Sequence, residues 1–246
     1  MIWFTSDSHF GHKNIIRSCS NWHDKEKTRD FPTVEDHDNF LIDQLNKHVA
    51  PSDVLYHLGD FGLGFAWKDR FKEVRSRIKC ETIFLCLGNH DHIFTSKNKK
   101  ADEVRCLFKD VRDIYYKKLM GRAFVLCHYA MRTWPWMQTQ SIMLYGHSHG
   151  NLADDPNTLS MDVGVDTCLF GHPKYAPYSA EEIFAIMDNF KKFVPVDHHK
   201  VEEDSFVLPT GAEIEVFHDP NPNKACMIAG PTLVTGEAVL DNRRFQ

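Results

Sequence analysis

Apolar positions along the chain switch between two periods. Short runs of β-branched, aliphatic and aromatic residues recur at Ile2 to Thr5, Val54 to Tyr56, Thr82 to Leu87, Val111 to Tyr116, Ala123 to Cys127, Ile142 to Tyr145 and Leu159 to Val163. Runs of this length bounded by polar and turn-forming residues predict strands. Between the early runs the spacing becomes helical: Val34, Leu41, Leu45 and Val49 form one stripe behind a Thr33/Asp36 capping pair, and Trp67, Phe71, Val74 and Ile78 form a second. A third helix is expected to start at Ser179, with Glu182 completing a capping box and Ile183, Phe184, Met187 and Phe190 on its buried face. Strands alternating with helices predict an α/β architecture.

From Lys191 the texture changes. Pro, Gly and Thr punctuate short β-like stretches at Ser205 to Leu208, Glu213 to Phe217 and Thr232 to Leu240, with turns expected at Pro209-Thr210-Gly211 and Ala229-Gly230-Pro231. The expected organisation is a main domain over 1–190 and a β-rich appendage over 191–246 packed on its core.

Composition narrows the class. With 246 residues, 42% hydrophobic and 26% charged, the chain can bury a substantial core. Its net charge of −5 is the wrong sign for gripping a long run of phosphates, so extended duplex binding is not expected. Seven scattered cysteines with no Cys-x-x-Cys pair are read as reduced thiols, which places the protein in the cytoplasm. The start, Met1-Ile2-Trp3-Phe4-Thr5, lacks the basic residues of a secretory signal, and no apolar run approaches the ~20 residues that span a bilayer.

Chemistry gathers just after the strands, where open α/β sheets bind ligands. Asp7-Ser8-His9 and His12 follow the first run, Gly59-Asp60 the second, Gly88-Asn89-His90-Asp91 the third, His128 the fifth and Gly146-His147-Ser148-His149 the sixth. Imidazole and carboxylate suit divalent transition metals, and a pair of ions ~3.5 to 4 Å apart needs a bridging ligand, for which Asp60 is the candidate. If Asp-x-His and His-x-His are extended, each delivers two side chains to one side. The glycines at 59, 88 and 146 mark tight turns or close backbone approach.

In this order and spacing the motifs resemble the calcineurin-like metallophosphoesterase superfamily, whose pattern is Asp-x-His, Gly-Asp, Gly-Asn-His-Asp/Glu, His and Gly-His-x-His. The likeness covers about 1 to 190, and Asp162-Val163-Gly164-Val165-Asp166 is similar to the ending of the small bacterial and phage members. It implies two mixed β-sheets packed as a sandwich flanked by helices. It implies one metal on Asp7, His9, Asp60 and His149, another on Asp60, Asn89, His128 and His147, and His90 as the catalytic imidazole. Two cations sharing a water bring its pKa from 15.7 to roughly 7, giving a bridging hydroxide that attacks phosphorus while His90 protonates the leaving oxygen. Manganese is expected, although iron, zinc and nickel suit the same donors.

The chain departs from the pattern of protein Ser/Thr phosphatases and dinucleoside tetraphosphatases. Gly59-Asp60 is followed by Phe61-Gly62-Leu63-Gly64 rather than an Asp-Arg-Gly segment, which leaves the orienter of His90 open. Asp rather than Glu at 91 points to the phosphodiesterase branches. The expected substrate is a small phosphoester, a nucleotide or nucleic-acid end. A phosphomonoesterase and a catalytically silent metal-binding scaffold are the competing readings.

His12 and, on the aromatic connection from Tyr129 to Trp136, Arg132 with Trp134 or Trp136 are the candidate substrate contacts. The competing readings are a loop histidine satisfied by backbone and tryptophans that roof the core. His23, His37, His48 and the His198-His199 pair are expected on the surface, and His57 half-buried in a strand. Lys97, Lys99 and Lys100 are read as a solvated face, and Cys127 as packing.

Overall fold

A computed structural model describes residues 1–63, 68–95, 99–153, 155 and 157–190. Trp67, Lys97 and the expected appendage lie outside the described residues. Strand β1 (Ile2–Thr5) leads through helix α1 (Val34–His48) to β2 (Val54–His57), then through α2 (Lys68–Arg77) to β3 (Thr82–Cys86). Short helices α3 (His92–Thr95) and α4 (Lys99–Arg105) precede β4 (Asp110–Arg112). There follow β5 (Ile114–Leu119), β6 (Arg122–Cys127), β7 (Ile142–Tyr145), β8 (Ser160–Asp162), β9 (Tyr178–Ser179) and α5 (Ala180–Met187).

The strands form two sheets, ordered β4-β3-β2-β1-β9 and β5-β6-β7-β8. Both are mixed: β9 runs antiparallel to β1 in an otherwise parallel sheet, and the β5–β6 hairpin is antiparallel while β6, β7 and β8 are parallel. Period-two alternation explains the layering. Phe4, Tyr56 and Phe84 lie opposite one another in register on the face toward the second sheet. Their rings stack at 5.7 and 4.9 Å, and Phe124 reaches Phe4 from across the sandwich at 5.5 Å. Trp3, Leu55 and Ile83 point the other way, joining Leu41, Leu45 and Phe71 of α1 and α2 in a second core.

The helix caps follow the sequence. Thr33 Oγ1 accepts from Asp36 N–H at 3.1 Å, and Ser179 and Glu182 form a reciprocal box at the start of α5. The run expected as one strand over Val111 to Tyr116 is instead two, in different sheets. Val111 packs with the helix-side core and Tyr115 with the inter-sheet core, so the chain changes sheets at Asp113. Among the described residues no helix is long and apolar enough to cross a membrane.

Candidate metal centre

The ligand-type motifs sit on loops at the carboxyl ends of β1, β2, β3, β6 and β7. Parallel pairing continues past β1 and β2: Leu58 N–H donates to Thr5 O at 2.7 Å, Asp7 N–H to Gly59 O at 2.9 Å and His9 N–H to Asp60 O at 2.9 Å. Gly146 N–H likewise donates to His128 O at 3.0 Å. The loops are not extended as expected. Asp7, His9, Asp60, His147 and His149 are all left-handed, with φ between 49 and 67°. Curling the backbone, rather than strand alternation, brings the paired side chains together; Asp and His are among the residue types that tolerate this region. Two glycines permit the approach, because a Cβ at Gly88 would run into the Asp60 carboxylate and one at Gly146 into Ser6 Oγ and the Asp7 carboxylate.

Two clusters result. Ligand atoms of Asp7, His9 and His149 lie within 4.8 Å of one another, and those of Asp60, His128 and His147 do the same. Asp60 Oδ2 stands between them, 3.5 Å from His9 Nε2 and 3.5 Å from His128 Nε2. Asn89 Oδ1 is 3.1 Å from His128 Nε2. A third trio, His9, His12 and His90, meets the same spacing.

The second nitrogens are occupied in ways that leave Nε2 facing inward. His128 Nδ1–H donates to Leu58 O at 2.8 Å and His149 Nδ1–H to Asp166 Oδ2 at 2.7 Å, while His9 Nδ1 faces His12 Nδ1 at 3.3 Å. Behind the ligands are residues the sequence reading did not single out as site residues. Buried Arg29 donates to Asp166 through Nε (3.1 Å) and NH2 (2.7 Å), to Ser8 O (3.0 Å) and to Asp7 O (2.6 Å), tying the first ligand loop to the partner of His149. Asp162 accepts from Ser148 Oγ–H at 2.6 Å and Gly150 N–H at 3.0 Å, holding the last loop. Asp91 accepts from the backbone N–H of Asp60 (2.7 Å), Phe61 (3.1 Å) and Gly88 (2.9 Å). It therefore shapes the Asp60 loop, whereas the rings beside His90 are His9 and His12, at 5.0 and 5.1 Å.

Burial moves these groups away from their ordinary values. It raises the Asp7 carboxyl to about 6 and the Asp91 carboxyl to about 7, and lowers His12 to about 4 and His9 well below its usual range. Burial would lower His128 too, but the Asp60 and Asp7 carboxylates outweigh it and lift that imidazole to about 9. Buried acids converge here with His9 and His12, which burial pushes toward the neutral form, and with His128, which the acids themselves hold protonated, while the buried guanidinium of Arg29 beside them is directed at Asp166, His37 and main-chain carbonyls. Such acids need positive charge close by. The carboxylate and imidazole donors fit divalent metal ions.

The remaining expectations fare differently. His12 is buried at the cluster. Arg132 is exposed on the connection after His128. Trp134 and Met137 pack with Val125, Cys127, Met143 and Tyr145 on the outer face of the second sheet, and the Trp136 ring lies against Tyr116 at 5.8 Å. The structure thus places those rings at the second sheet and not among the histidines. Cys127 is packed, as expected. His57 is fully buried and hydrogen-bonds Ser8 Oγ at 2.8 Å through Nε2. His37, expected on the surface, is fully buried between Arg29 and Asp38 at 2.8 and 3.0 Å. It lies on the inner side of α1, and a polar partner on each side offsets the cost of burying it.

The chain is 26% identical to an uncharacterized protein of Methanocaldococcus jannaschii over 195 residues, covering 77% of this chain and 93% of that one. A protein of unknown function from Aquifex aeolicus is similar in structure, with a TM-score of 0.55, 23% identity and coverage of 76% of this chain and 98% of that one. A nuclease of Pseudomonas putida aligns with a TM-score of 0.38 and 20% identity over 60% of each chain. The family model of calcineurin-like phosphoesterases matches residues 1–173, and the chain belongs to that family.

Proposed function

We propose that the protein is a phosphodiesterase that hydrolyses nucleotide or nucleic-acid-end phosphoesters with two divalent ions, manganese by preference. Asp7, His9, Asp60 and His149 hold one ion, and Asp60, Asn89, His128 and His147 the other. The observation that carries this reading is the position of Asp60 Oδ2, 3.5 Å from an imidazole nitrogen of each cluster, where one carboxylate serves both. When bound, the ions would supply an acidified water and neutralise the phosphoryl oxygens.

The chain's own residues do the rest. Arg29, Asp91 and Asp162 hold the loops that carry the ligands. Asp60 Oδ1 accepts from His90 N–H at 2.8 Å, so the loop that carries the shared carboxylate also positions the imidazole. His90, only partly buried, hands its proton to the leaving oxygen. Asp91 serves the ligand loop rather than His90.

The test compares bis(p-nitrophenyl) phosphate with p-nitrophenyl phosphate on metal-stripped protein reloaded with Mn²⁺. Asp60→Ala should lose ion binding in calorimetry together with turnover. His90→Ala should keep ion binding and lose roughly 10²- to 10⁴-fold in kcat. Preference for the monoester would make it a phosphatase. Two bound ions without turnover of either ester would make it a metal-binding scaffold.

A further inference from the structure

Two other large rings touch the histidine cluster and remain half in water. Trp22 is 44% exposed and meets the His12 ring edge-on at 6.1 Å, and His12 in turn lies 5.1 Å from His90. Tyr129 is 46% exposed, with its ring 5.0 Å from that of His128 and 4.8 Å from that of His147. A single exposed aromatic needs no explanation. These two, however, rest on the imidazoles of the site, and neither belongs to an apolar core cluster. Both are also anchored. The Trp22 loop is closed at its base by Arg17 N–H to Arg29 O (2.9 Å) and Arg29 N–H to Ile15 O (2.7 Å), so the residue that braces the ligand loops also closes the loop that carries this ring. Tyr129 directly follows His128, whose carbonyl is held by Gly146 N–H.

Their positions differ in a way that matters for a diester. Trp22 borders the His12/His90 end, and Tyr129 borders the His128/His147 end. In-line displacement sends the leaving oxygen toward the group that protonates it, and the retained ester arm departs from phosphorus in another direction. We propose that Trp22 is the platform for a flat leaving arm and Tyr129 the platform for a flat retained arm. The preferred substrate is then a phosphodiester with an aromatic or heteroaromatic group on both arms, the chemistry of a dinucleotide. The assignment rests on the diesterase reading and adds to it the two residues that select the arms.

Two substrates with the same leaving group separate the roles. Bis(p-nitrophenyl) phosphate carries a ring on both arms, and methyl p-nitrophenyl phosphate carries one only on the arm that leaves. Base stacking on an aromatic side chain contributes enough that its removal costs on the order of tenfold in affinity. Trp22→Ala should therefore raise KM for both esters about tenfold, with a smaller change in kcat. Tyr129→Ala should raise KM for the bis ester about fivefold more than for the methyl ester. Trp22→Phe and Tyr129→Phe keep a ring and should restore most of each loss. KM unchanged within twofold in both alanine variants of an active enzyme overturns the platforms and leaves the diesterase reading standing. So does Tyr129→Ala acting equally on both esters, or Tyr129→Phe behaving like alanine, which would assign the effect to the hydroxyl. Metal-loaded wild type that turns over neither ester removes both readings together.

Discussion

The same strands end in two kinds of structure. Between the sheets, Phe4, Tyr56, Phe84 and Phe124 are held by the shapes of their neighbours on regular backbone. A few residues further along β1 and β2, Asp7, His9 and Asp60 sit on left-handed backbone, buried and titratable, and are held by directional hydrogen bonds. The difference teaches where each region can absorb change. A packed core tolerates exchanges that conserve volume. A loop held by charge-assisted bonds does not, because each lost partner leaves another group buried and unsatisfied.

The largest effect is expected from Arg29→Met. It leaves Asp166 without its guanidinium and removes donors from the carbonyls of Asp7 and Ser8, so denaturant unfolding should fall by about 5 kcal/mol, the upper part of the range for a broken buried pair. Calorimetry should show weaker metal binding as well; a stability loss with unchanged metal affinity would place Arg29 with the body of the fold. Phe124→Ala should cost about 4 kcal/mol through the cavity it leaves. Its metal affinity should match wild type, and any weakening there would erase the distinction between the two regions. Asp166→Asn keeps the volume and one acceptor oxygen but takes the negative charge from both buried Arg29 and His149 Nδ1–H, so a loss of about 3 kcal/mol is expected, the lower end of the range for a broken buried pair. Metal affinity should drop by about 10- to 100-fold, and an unaltered affinity would show that His149 is oriented without Asp166.

Those regions were also unequally legible. The strands and capped helices follow from local spacing, and the ligand motifs could be read because their residue types cluster immediately after the strands. Of the struts behind them, Asp162 and Asp166 stand in the motif quoted for the family likeness, but what they hold could not be read. Arg29 meets Asp166 across 137 positions of chain, and no local spacing links the two. The break at Asp113 was hidden because Val111 to Tyr116 is apolar enough to read as one strand, while the choice of sheet depends on which core each side chain enters. Trp134 and Trp136 stood out by composition, yet burial of one in the outer-face cluster and the contact of the other with Tyr116 were decided by tertiary packing.

The five left-handed ligand residues carry a consequence for how such a chain would drift. At Asp7, His9, Asp60, His147 and His149 the backbone suits glycine, and a side chain there costs on the order of 1 kcal/mol or more. A lineage released from the need to bind ions would relieve that backbone cost by mutating toward glycine, first at His147, whose ring is exposed, and last at Asp7 and Asp60, whose carboxylates also accept from the backbone of neighbouring loops. Glycine at 147 would then be the earliest mark by which descendants that have abandoned the ions could be recognised.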